Sequence, residues 1–478
     1  MAAARQPPTA SGPPPARPRA RWRRTAGRLL ILATLALVVR TWLVQGLFVP
    51  FQVASGSMAD MLYGPHRQVI CAECGHRFAC ASDLQPVRPR AICPNCDSRQ
   101  NDLAAQPDVV GDRLLVDKLT YSLRPPRRWE LAAFRHPHEP GRILVKRVVG
   151  LPGESVQVRD GEVYIDGRLQ RKSLFAQRAV AVLVHDANHP PPKDLPPRWD
   201  DDQAGAGWGS ADGRFVHPST PGATSIHWLT YHHWRRTPGL ADPIQEGPLV
   251  NSRGYNQTRL PRAENVHPVP DVMLSFHLVR VSGQGQLLAW ASDGRDTFQV
   301  RMEPTQGGGY EVRHNGRSVG LDGPRKMPPW KDDLHVEVSL VDRQFLLAFD
   351  ERPAVVYPYE ETAPAVRPPS EPLAIGSRGL GVELRDLRVY RDVYYTHPVG
   401  GKGRWGLEEP FVLGPEEYFV LGDNSPISED SRTWPEGPAV PRHALIGRPC
   451  LIHFPARHLA LGRWHIQVPD ASRIGYIR

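Results

Sequence analysis

Residues 142–168 read RILVKRVVGLPGESVQVRDGEVYIDGR, and this stretch decides the fold class of the chain. It combines β-branched runs, alternating apolar and polar side chains, and Gly/Asp punctuation at the spacing of hairpin turns. Similar short strand patterns, again separated by turn residues, recur from Val272 to Tyr395. Many short strands at even spacing are typical of β-sandwiches. The sequence therefore predicts a mainly β protein.

The length and the charge of the chain restrict its organisation. Its 478 residues suggest about two to four domains. Fifty prolines and 42 glycines indicate long loops and β-rich segments. Much of the formal net charge of +9 comes from arginines in the first 28 residues. Nucleic acid could attract such a tail, but the segment after it favours membrane topology, so we expect no nucleic-acid partner.

An apolar run, LLILATLALVV, extends from Leu29 to Val39. With its flanks it makes residues 25–49 long enough to cross a bilayer as a helix, at the cost of including Arg40. A cleavable signal peptide is the alternative, although no convincing small-residue cleavage site follows. The arginine-rich residues 1–24, predicted to be disordered, place the N-terminus in the cytoplasm and the rest of the chain on the outer face of the cytoplasmic membrane.

Two Cys-x-x-Cys pairs lie close together, Cys71 with Cys74 and Cys93 with Cys96. Their spacing is typical of a zinc ribbon, in which four thiolates hold one Zn²⁺. Four protein ligands leave no open position for a substrate, so the predicted zinc is structural. Two disulfides are the alternative, because cysteines outside the cytoplasm are commonly oxidised. We assign the ribbon to residues 71–107.

One lysine, Lys146, stands inside the apolar strand pattern that opens the stretch. With the two-residue period of a strand, Lys146 shares a face with Leu144 and Val148. Burial on such a face lowers the pKa of a lysine because it disfavours the charged form. A neutral amine can take a proton from a serine hydroxyl. The alternative is an ordinary surface lysine at a sheet edge.

Two further short blocks contain candidate site residues. SGSM at positions 55–58 places two serines around a glycine, which by itself is a common turn pattern. GDNSPISEDSR at 422–432 combines turn residues with carboxylates and an arginine that can pair. The candidate residues of this second block are Gly422, Asp423, Asn424, Ser428, Asp430 and Arg432.

In their order along the chain, these blocks resemble those of the type I signal peptidases, which are membrane-anchored Ser/Lys endopeptidases. The resemblance includes the anchor, SGSM, GDRLLVDK at 111–118, KRVVGLPG at 146–153, the GDN block and VPRHALIGR at 440–448. It implies an enzyme that removes N-terminal signal peptides from exported preproteins and needs no cofactor for catalysis. The implied catalytic domain comprises residues 50–70, 108–171 and 401–478.

The resemblance also implies a role for each site residue. Ser57 matches the nucleophile, Lys146 its general base, and Ser428 a serine that orients the lysine through a hydrogen bond. The Ser57 N–H and the Ser55 hydroxyl would form the oxyanion hole, whose donors meet the charge that develops on the substrate. Met58 would contribute to the wall that faces the substrate.

Three positions depart from the family pattern, while a pair in the GDN block follows it. Asp430 and Arg432 match a structural pair near the site. Asp60 and Met61 stand where the family usually has proline and threonine, and Ser425 stands where it often has arginine. We therefore expect Asp60 to place a charge close to the substrate pocket.

A second insertion, at residues 172–400, separates Lys146 from the GDN block. Residues 172–271 are rich in proline, histidine and tryptophan, and their lack of periodicity predicts an irregular segment. Residues 272–400 resemble a concanavalin-type or laminin-G-like sandwich, which implies a glycan or protein ligand. Two alternatives stay open: a membrane-anchored scaffold that binds a partner through its insertions, and a peptidase with a narrow range of substrates.

Overall fold

The computed structural model describes residues 19–83, 89–201, 207–211, 213–237, 243–252, 254–256, 266–304, 308–320, 325–328, 332–360, 367–397, 403–461 and 464–477. The protein is mainly β, with 45% strand and 12% helix, as the sequence predicts. Most of the predicted disordered tail, residues 1–18, lies outside the described residues.

The N-terminal segment is helical. Helix α1 (Arg19–Val38) leads into a π-helical turn at Val39–Val44 and a short helix α2 (Gln45–Leu47). Large apolar side chains between Leu29 and Val39 are exposed. Within the described residues, we find no helix whose length and apolar character together suffice to span a membrane.

Five short strands follow strand β1 (Phe48–Gln52), within the ribbon and on its two flanks. They are β2 (His66–Ile70), β3 (Arg77–Ala81), β4 (Arg90–Ala91), β5 (Asn101–Asp102) and β6 (Asp108–Val109). Strand β2 lies between β3 and β6, and β4 pairs with β5. The four cysteines pack with only a few apolar side chains, including Val69 and Leu103, so the ribbon has a very small core of its own.

The stretch at 142–168 forms strands, as predicted. This part of the chain contains β7 (Arg113–Asp117), helix α3 (Thr120–Leu123), β8 (Leu131–Arg135), β9 (Ile143–Gly150), β10 (Ser155–Arg159), β11 (Glu162–Ile165) and β12 (Arg168–Leu169). The hairpin turns fall at the Gly/Asp positions, where Asp160 and Gly161 both adopt positive φ, 52° and 87°. Such φ values favour glycine and are tolerated by aspartate.

Residues 172–271 are not irregular, which corrects the prediction. They contain helix α4 (Leu174–Val180), β13 (Val182–Asp186), β14 (Trp199–Asp201), β15 (Gly209–Ala211), β16 (Arg214–His217), β17 (His227–Tyr231), β18 (Trp234–Arg236) and β19 (Ile244–Glu246). Strands β13 to β17 join sheets of the following segment. They are too short to show a period in the sequence, and their long partner strands supply the hydrogen bonds that hold them.

The remainder of the insertion completes a two-sheet sandwich. Its strands are β20 (Val272–Ser282), β21 (Gln286–Ser292), β22 (Thr297–Met302), β23 (Tyr310–His314), β24 (Arg317–Ser318), β25 (Leu334–Val341), β26 (Gln344–Phe349), β27 (Arg352–Pro358), β28 (Leu373–Arg378) and β29 (Gly381–Arg391). One sheet has the order β15-β16-β29-β20-β25-β26-β27 with β13 on β29, and the other β14-β17-β28-β21-β22-β23-β24. Alternate side chains of both sheets fill one apolar core.

The C-terminal part returns to the first sheets. Its strands are β30 (Phe411–Val412), β31 (Glu417–Leu421), β32 (Val440–Pro441), β33 (Leu445–Phe454), β34 (Ala456–Leu461), β35 (Trp464–Pro469) and β36 (Gly475–Tyr476). The main sheet has the order β1-β7-β33-β8-β9-β31-β32, and a smaller one β12-β11-β10-β30. Strand β9 pairs with β31, so Lys146 and the GDN block come together although the insertion separates them in sequence.

Candidate active site

Lys146 is buried in the interior of the main sheet. Strand β9 lies between β8 and β31, so the alternative of a surface lysine at a sheet edge is wrong. The side chain is 2% exposed, and its Nζ donates a hydrogen bond to Ser428 Oγ at 3.0 Å. Burial lowers the pKa of Lys146 to about 8, although the negative charge of Asp430 acts to raise it. A lysine with this pKa can accept and return a proton near neutral pH.

Ser57 lies on a one-turn 3₁₀ element, Gly56–Met58, immediately beside the GDN block. Its side chain is half-buried, and Ser55 Oγ lies 3.4 Å from Ser57 Oγ. The Asn424 backbone N–H donates to the Ser57 carbonyl oxygen at 3.0 Å. A Cβ added at Gly422 would lie 2.7 Å from both Ser428 Cβ and the Ser57 carbonyl oxygen. The three predicted elements of the site, SGSM, Lys146 and Ser428, therefore meet around Gly422.

The Asp430–Arg432 pair lies fully buried behind Lys146. Arg432 holds the carboxylate through Nε at 2.9 Å and Nη2 at 2.7 Å, and the Gly422 N–H donates to it at 2.9 Å. Burial alone would raise the pKa of Asp430, but Arg432 and Lys146 outweigh it and lower the pKa below its usual value. The ionised carboxylate fixes the turn after β31 and places a negative charge near the lysine.

A second buried ion pair joins β9 to the same turn. Arg147 donates to Asp423 through Nε at 2.7 Å and Nη2 at 2.6 Å, and both side chains are excluded from solvent. Arg147 also donates to the carbonyl oxygens of Trp129 at 2.6 Å and of Ala179, in helix α4, at 3.1 Å. The Arg147 guanidinium therefore connects the main sheet to the GDN turn and to the start of the insertion.

Two site positions behave differently from the family-based expectation. Met58 is 1% exposed and packs in an apolar cluster with Leu62 and Leu114, so it lies in the core rather than on an open wall. Ser425, where the family often has arginine, is fully buried, and its Oγ accepts from the Thr396 N–H at 2.8 Å. This position therefore connects the GDN turn to the end of the insertion.

Asp60, which we expect to place a charge close to the substrate pocket, lies on the ribbon side of the site. Asp60 is half-buried and borders a cavity of about 740 Å³ between the ribbon, the insertion and the GDN turn. Neither Ser57 nor Lys146 is among the described residues that line this cavity. The cavity is therefore separate from the candidate catalytic groups.

Sequence reasoning missed two residues of the insertion that reach the site. Tyr255 and Asn256 belong to a 3₁₀ turn, Gly254–Asn256, and both are buried. Asn256 exchanges hydrogen bonds with Asn424, and the Tyr255 ring packs on Gly56. The surrounding sequence has no periodicity and no motif, so no signal in it could have placed these side chains beside Ser57.

The four ribbon cysteines lie together, and their sulfur ligand atoms are all within 4.8 Å of one another. The Sγ atoms of Cys71 and Cys96 are 3.6 Å apart, and those of Cys74 and Cys93 are 3.7 Å apart. Zinc–sulfur bonds of 2.3 Å in a tetrahedron give sulfur separations of about 3.8 Å, so the set fits a zinc ion. None of the six cysteines, all of which lie in the described part of the chain, forms a disulfide.

The ribbon turns have the geometry expected of such knuckles. The Gly75 N–H donates to the Cys71 carbonyl oxygen at 3.0 Å, and the Asp97 N–H donates to that of Cys93 at 2.9 Å. Gly75 has φ 73° and Asp97 has φ 57°. Gly75 and Asp97 therefore both take the left-handed conformation, and each closes a tight turn after the first cysteine of its pair.

A buried lysine hydrogen-bonded to one serine, with a second, half-buried serine on the adjoining turn, has the groups that acid–base chemistry needs. Residues 100–202 and 393–454, which carry Lys146 and the GDN block, match the family model "Signal peptidase, peptidase S26". These ranges amount to less than half of the chain and do not include Ser57. Together with the curated relatives, they support the signal peptidase I family for this part of the protein.

The curated relatives are similar over short segments. Signal peptidase I of Leptolyngbya laminosa is 45% identical over 67 residues, 12% of this chain and 32% of the relative. Probable signal peptidase I-2 of Synechocystis sp. is 33% identical over 75 residues, 14% of this chain and 33% of the relative. The chain spans about a third of the length of these relatives.

Solved structures are similar over a larger share of the chain. The carbohydrate binding module CBM66 from Bacillus subtilis aligns with 40% of this chain and 94% of its own, at a TM-score of 0.24 and 6% identity. The Emp47p carbohydrate recognition domain aligns with 42% of this chain and 90% of its own, at a TM-score of 0.25 and 11% identity. Similarity at this level says nothing about a ligand of this chain.

Proposed function

We propose that this protein is a membrane-bound serine endopeptidase that removes N-terminal signal peptides from exported preproteins. The observation that carries the proposal is the hydrogen bond of the buried Lys146 Nζ to Ser428 Oγ, on a turn that also binds the backbone of Ser57. The match of both segments around this bond to the signal peptidase family supports the choice of substrate.

In the proposed reaction, Ser57 Oγ attacks the carbonyl carbon of the scissile peptide bond while neutral Lys146 takes the hydroxyl proton. The Ser57 N–H and the Ser55 hydroxyl stabilise the oxyanion. Lys146 then gives its proton to the leaving amine as the carbon–nitrogen bond breaks. Water, deprotonated by the same lysine, hydrolyses the acyl-enzyme. Ser428 keeps the lysine amine in place throughout.

The test is cleavage of a purified preprotein by the full-length protein in detergent. We expect Ser57→Ala and Lys146→Ala each to abolish cleavage, while Lys193→Ala, at an exposed lysine of the insertion, leaves it unchanged. Unaltered cleavage by either of the first two variants would show that the proposed dyad is wrong. Cleavage of a folded cytoplasmic protein at a similar rate would instead refute the substrate class.

In the proposed enzyme the ribbon holds one structural zinc through Cys71, Cys74, Cys93 and Cys96. The zinc would supply no chemistry to the reaction; it would hold together a segment with almost no apolar core. We expect one zinc per chain in the purified protein and none in Cys93→Ser, whereas Cys450→Ser keeps the metal. Metal-free protein with oxidised cysteine pairs would contradict the zinc site.

The proposed location is the cytoplasmic membrane, with residues 25–49 as a single anchor, the N-terminus in the cytoplasm and the catalytic domain outside. Exposed apolar side chains from Leu29 to Val39 support it, because they have no protein partner to cover them. Carbonate extraction of membranes tests the anchor, and protease protection of intact cells tests the orientation. Release by carbonate would contradict the anchor, and protection of the catalytic domain in intact cells but not in permeabilised cells would reverse the orientation.

A further inference from the structure

The side chain of Asn424 determines the direction of a peptide group at the nucleophile. Its Nδ2 donates to the Gly56 carbonyl oxygen at 2.9 Å, and its backbone N–H holds the Ser57 carbonyl oxygen. The Gly56 carbonyl and the Ser57 N–H belong to one planar trans peptide and point in opposite directions. Fixing the Gly56 oxygen therefore also fixes the direction of the Ser57 N–H, the proposed oxyanion donor.

The orientation of Asn424 is in turn set by Asn256 of the insertion. Asn256 Nδ2 donates to Asn424 Oδ1 at 2.6 Å, and Asn424 Nδ2 donates to Asn256 Oδ1 at 2.7 Å. Asn424 thus uses both its amide protons and its oxygen. A flip of the Asn424 amide alone would break both bonds of this pair, and a flip of both amides together would place the Asn424 oxygen against the Gly56 oxygen. Both asparagines are buried, at 6% and 0% exposure, so water does not compete for these bonds.

Tyr255, next to Asn256, supports the other side of the nucleophile turn. A Cβ at Gly56 would lie 2.6 Å from Tyr255 Cζ, so the ring occupies the space that a side chain would need. The ring stacks on Tyr63 at 5.7 Å, and its hydroxyl donates to the Pro65 carbonyl oxygen at 3.1 Å. The turn that carries Ser57 is therefore held between Asn424 and an aromatic ring of the insertion.

We infer that Asn256 and Tyr255 are positioning residues for Ser57, and that the large insertion is part of the active site rather than an appended domain. Asn256 orients Asn424, Asn424 orients the Gly56–Ser57 peptide, and Tyr255 prevents the turn from moving away. The role rests on the proposed function, because it requires Ser57 to be the nucleophile.

The test compares kcat and KM for preprotein cleavage by Asn256→Ala and wild type. We expect kcat to fall about tenfold to a hundredfold, as for other small displacements of a catalytic donor, with KM changed less than about threefold. Asn251→Ala is the matched control. It removes another buried asparagine of the insertion, which binds the His267 N–H at 2.9 Å, and we expect kcat near that of wild type.

A double-mutant cycle separates positioning from general damage to the fold. If Asn256 acts through Asn424, Asn256→Ala has no further effect on kcat in the Asn424→Ala background. If the losses of kcat in Asn256→Ala and Asn424→Ala multiply in the double variant, the inference is overturned. Equal losses of kcat in Asn256→Ala and Asn251→Ala, in proportion to their lowered unfolding temperatures, would overturn it as well. Tyr255→Ala should lower kcat, and Tyr255→Phe, which keeps the ring but loses the hydrogen bond to the Pro65 carbonyl oxygen, should lower it less.

The two proposals fail in different ways. Full activity of Ser57→Ala overturns the proposed function and leaves Asn256 without a nucleophile to position. Loss of activity in Ser57→Ala together with a wild-type kcat in Asn256→Ala overturns only the positioning role.

Discussion

Lys146 determines how the proposed activity depends on pH. Because only the neutral amine accepts the serine proton, kcat/KM should rise with pH through a midpoint near 8, the pKa that burial gives this lysine. A pH–rate profile of preprotein cleavage between pH 6 and 10 measures the midpoint. A midpoint near 10.5, the ordinary value for lysine, would contradict a buried general base. Lys193→Ala should leave the midpoint unchanged.

Gly422 lies where the segment that carries Ser57 meets the segment that carries Ser428. Gly422→Ala places a methyl group 2.7 Å from Ser428 Cβ and from the Ser57 carbonyl oxygen, so one of these groups must move. We expect kcat to fall about a hundredfold, since displacements near 1 Å have effects of this size. Gly141→Ala, where the added Cβ meets nothing within 4 Å, should retain full activity. Equal activities would show that the two segments are not in close contact.

At the scale of elements, the Arg147–Asp423 pair connects β9 to the turn after β31. Asp423→Ala leaves a buried guanidinium without its counter-charge, and we expect the free energy of unfolding to fall by about 3–5 kcal/mol. Glu408→Ala breaks the pair of Arg404 and Glu408, whose side chains are 68% and 71% exposed, and should change stability by less than about 1 kcal/mol. Denaturant unfolding followed by tryptophan fluorescence measures both. If Asp423→Ala changes the free energy of unfolding as little as Glu408→Ala does, the buried Arg147–Asp423 pair does not stabilise the fold strongly.

At the scale of the whole molecule, a buried charge cluster joins the catalytic part to the sandwich. Glu162, on β11, meets Asp271, Asp342 and Asp392, with carboxylate oxygens within 4.8 Å of one another. Lys172 Nζ binds Asp342 at 2.6 Å and Asp392 at 2.7 Å. One ammonium cannot balance four carboxylates, so the junction retains protons.

This junction makes stability depend on pH. Burial, with repulsion from Asp342 and Asp392, raises the pKa of Asp271 from 3.8 to about 8. Between these values the folded protein holds a proton that the unfolded chain has released, so the stabilisation is complete below pH 3.8 and is lost as pH rises through 8. The unfolding temperature should therefore fall between about pH 4 and pH 8, and Asp271→Asn should flatten the fall. Asp333→Asn, which changes the partly exposed pair of Arg385 and Asp333, should leave the pH dependence of the unfolding temperature unchanged. If Asp271→Asn showed the same pH dependence as wild type, the raised pKa of Asp271 would be contradicted.

The parts of the molecule that the sequence predicts well are those specified by local pattern. Alternation along 143–149 placed Lys146 on one strand face with Leu144 and Val148 and left a surface lysine as the alternative, and the structure buries both Lys146 and Val148. The Cys-x-x-Cys spacing predicted a four-sulfur cluster, and the cysteines lie together as expected. Short strands of residues 172–271 such as β13, β16 and β17 were missed because they are stabilised by pairing with the distant strands β28 and β29 and not by their own periodicity.

By itself, the sequence determined the β class, the strand face that Lys146 shares with Val148 and the clustering of the ribbon cysteines, because strand periodicity and ligand spacing act over a few residues. Only the tertiary structure decided that Tyr255 and Asn256 stand beside Ser57. Asn256 contacts Asn424 across 168 positions of chain. Such a contact is fixed by how the sandwich packs on the catalytic sheet, and no local pattern encodes it.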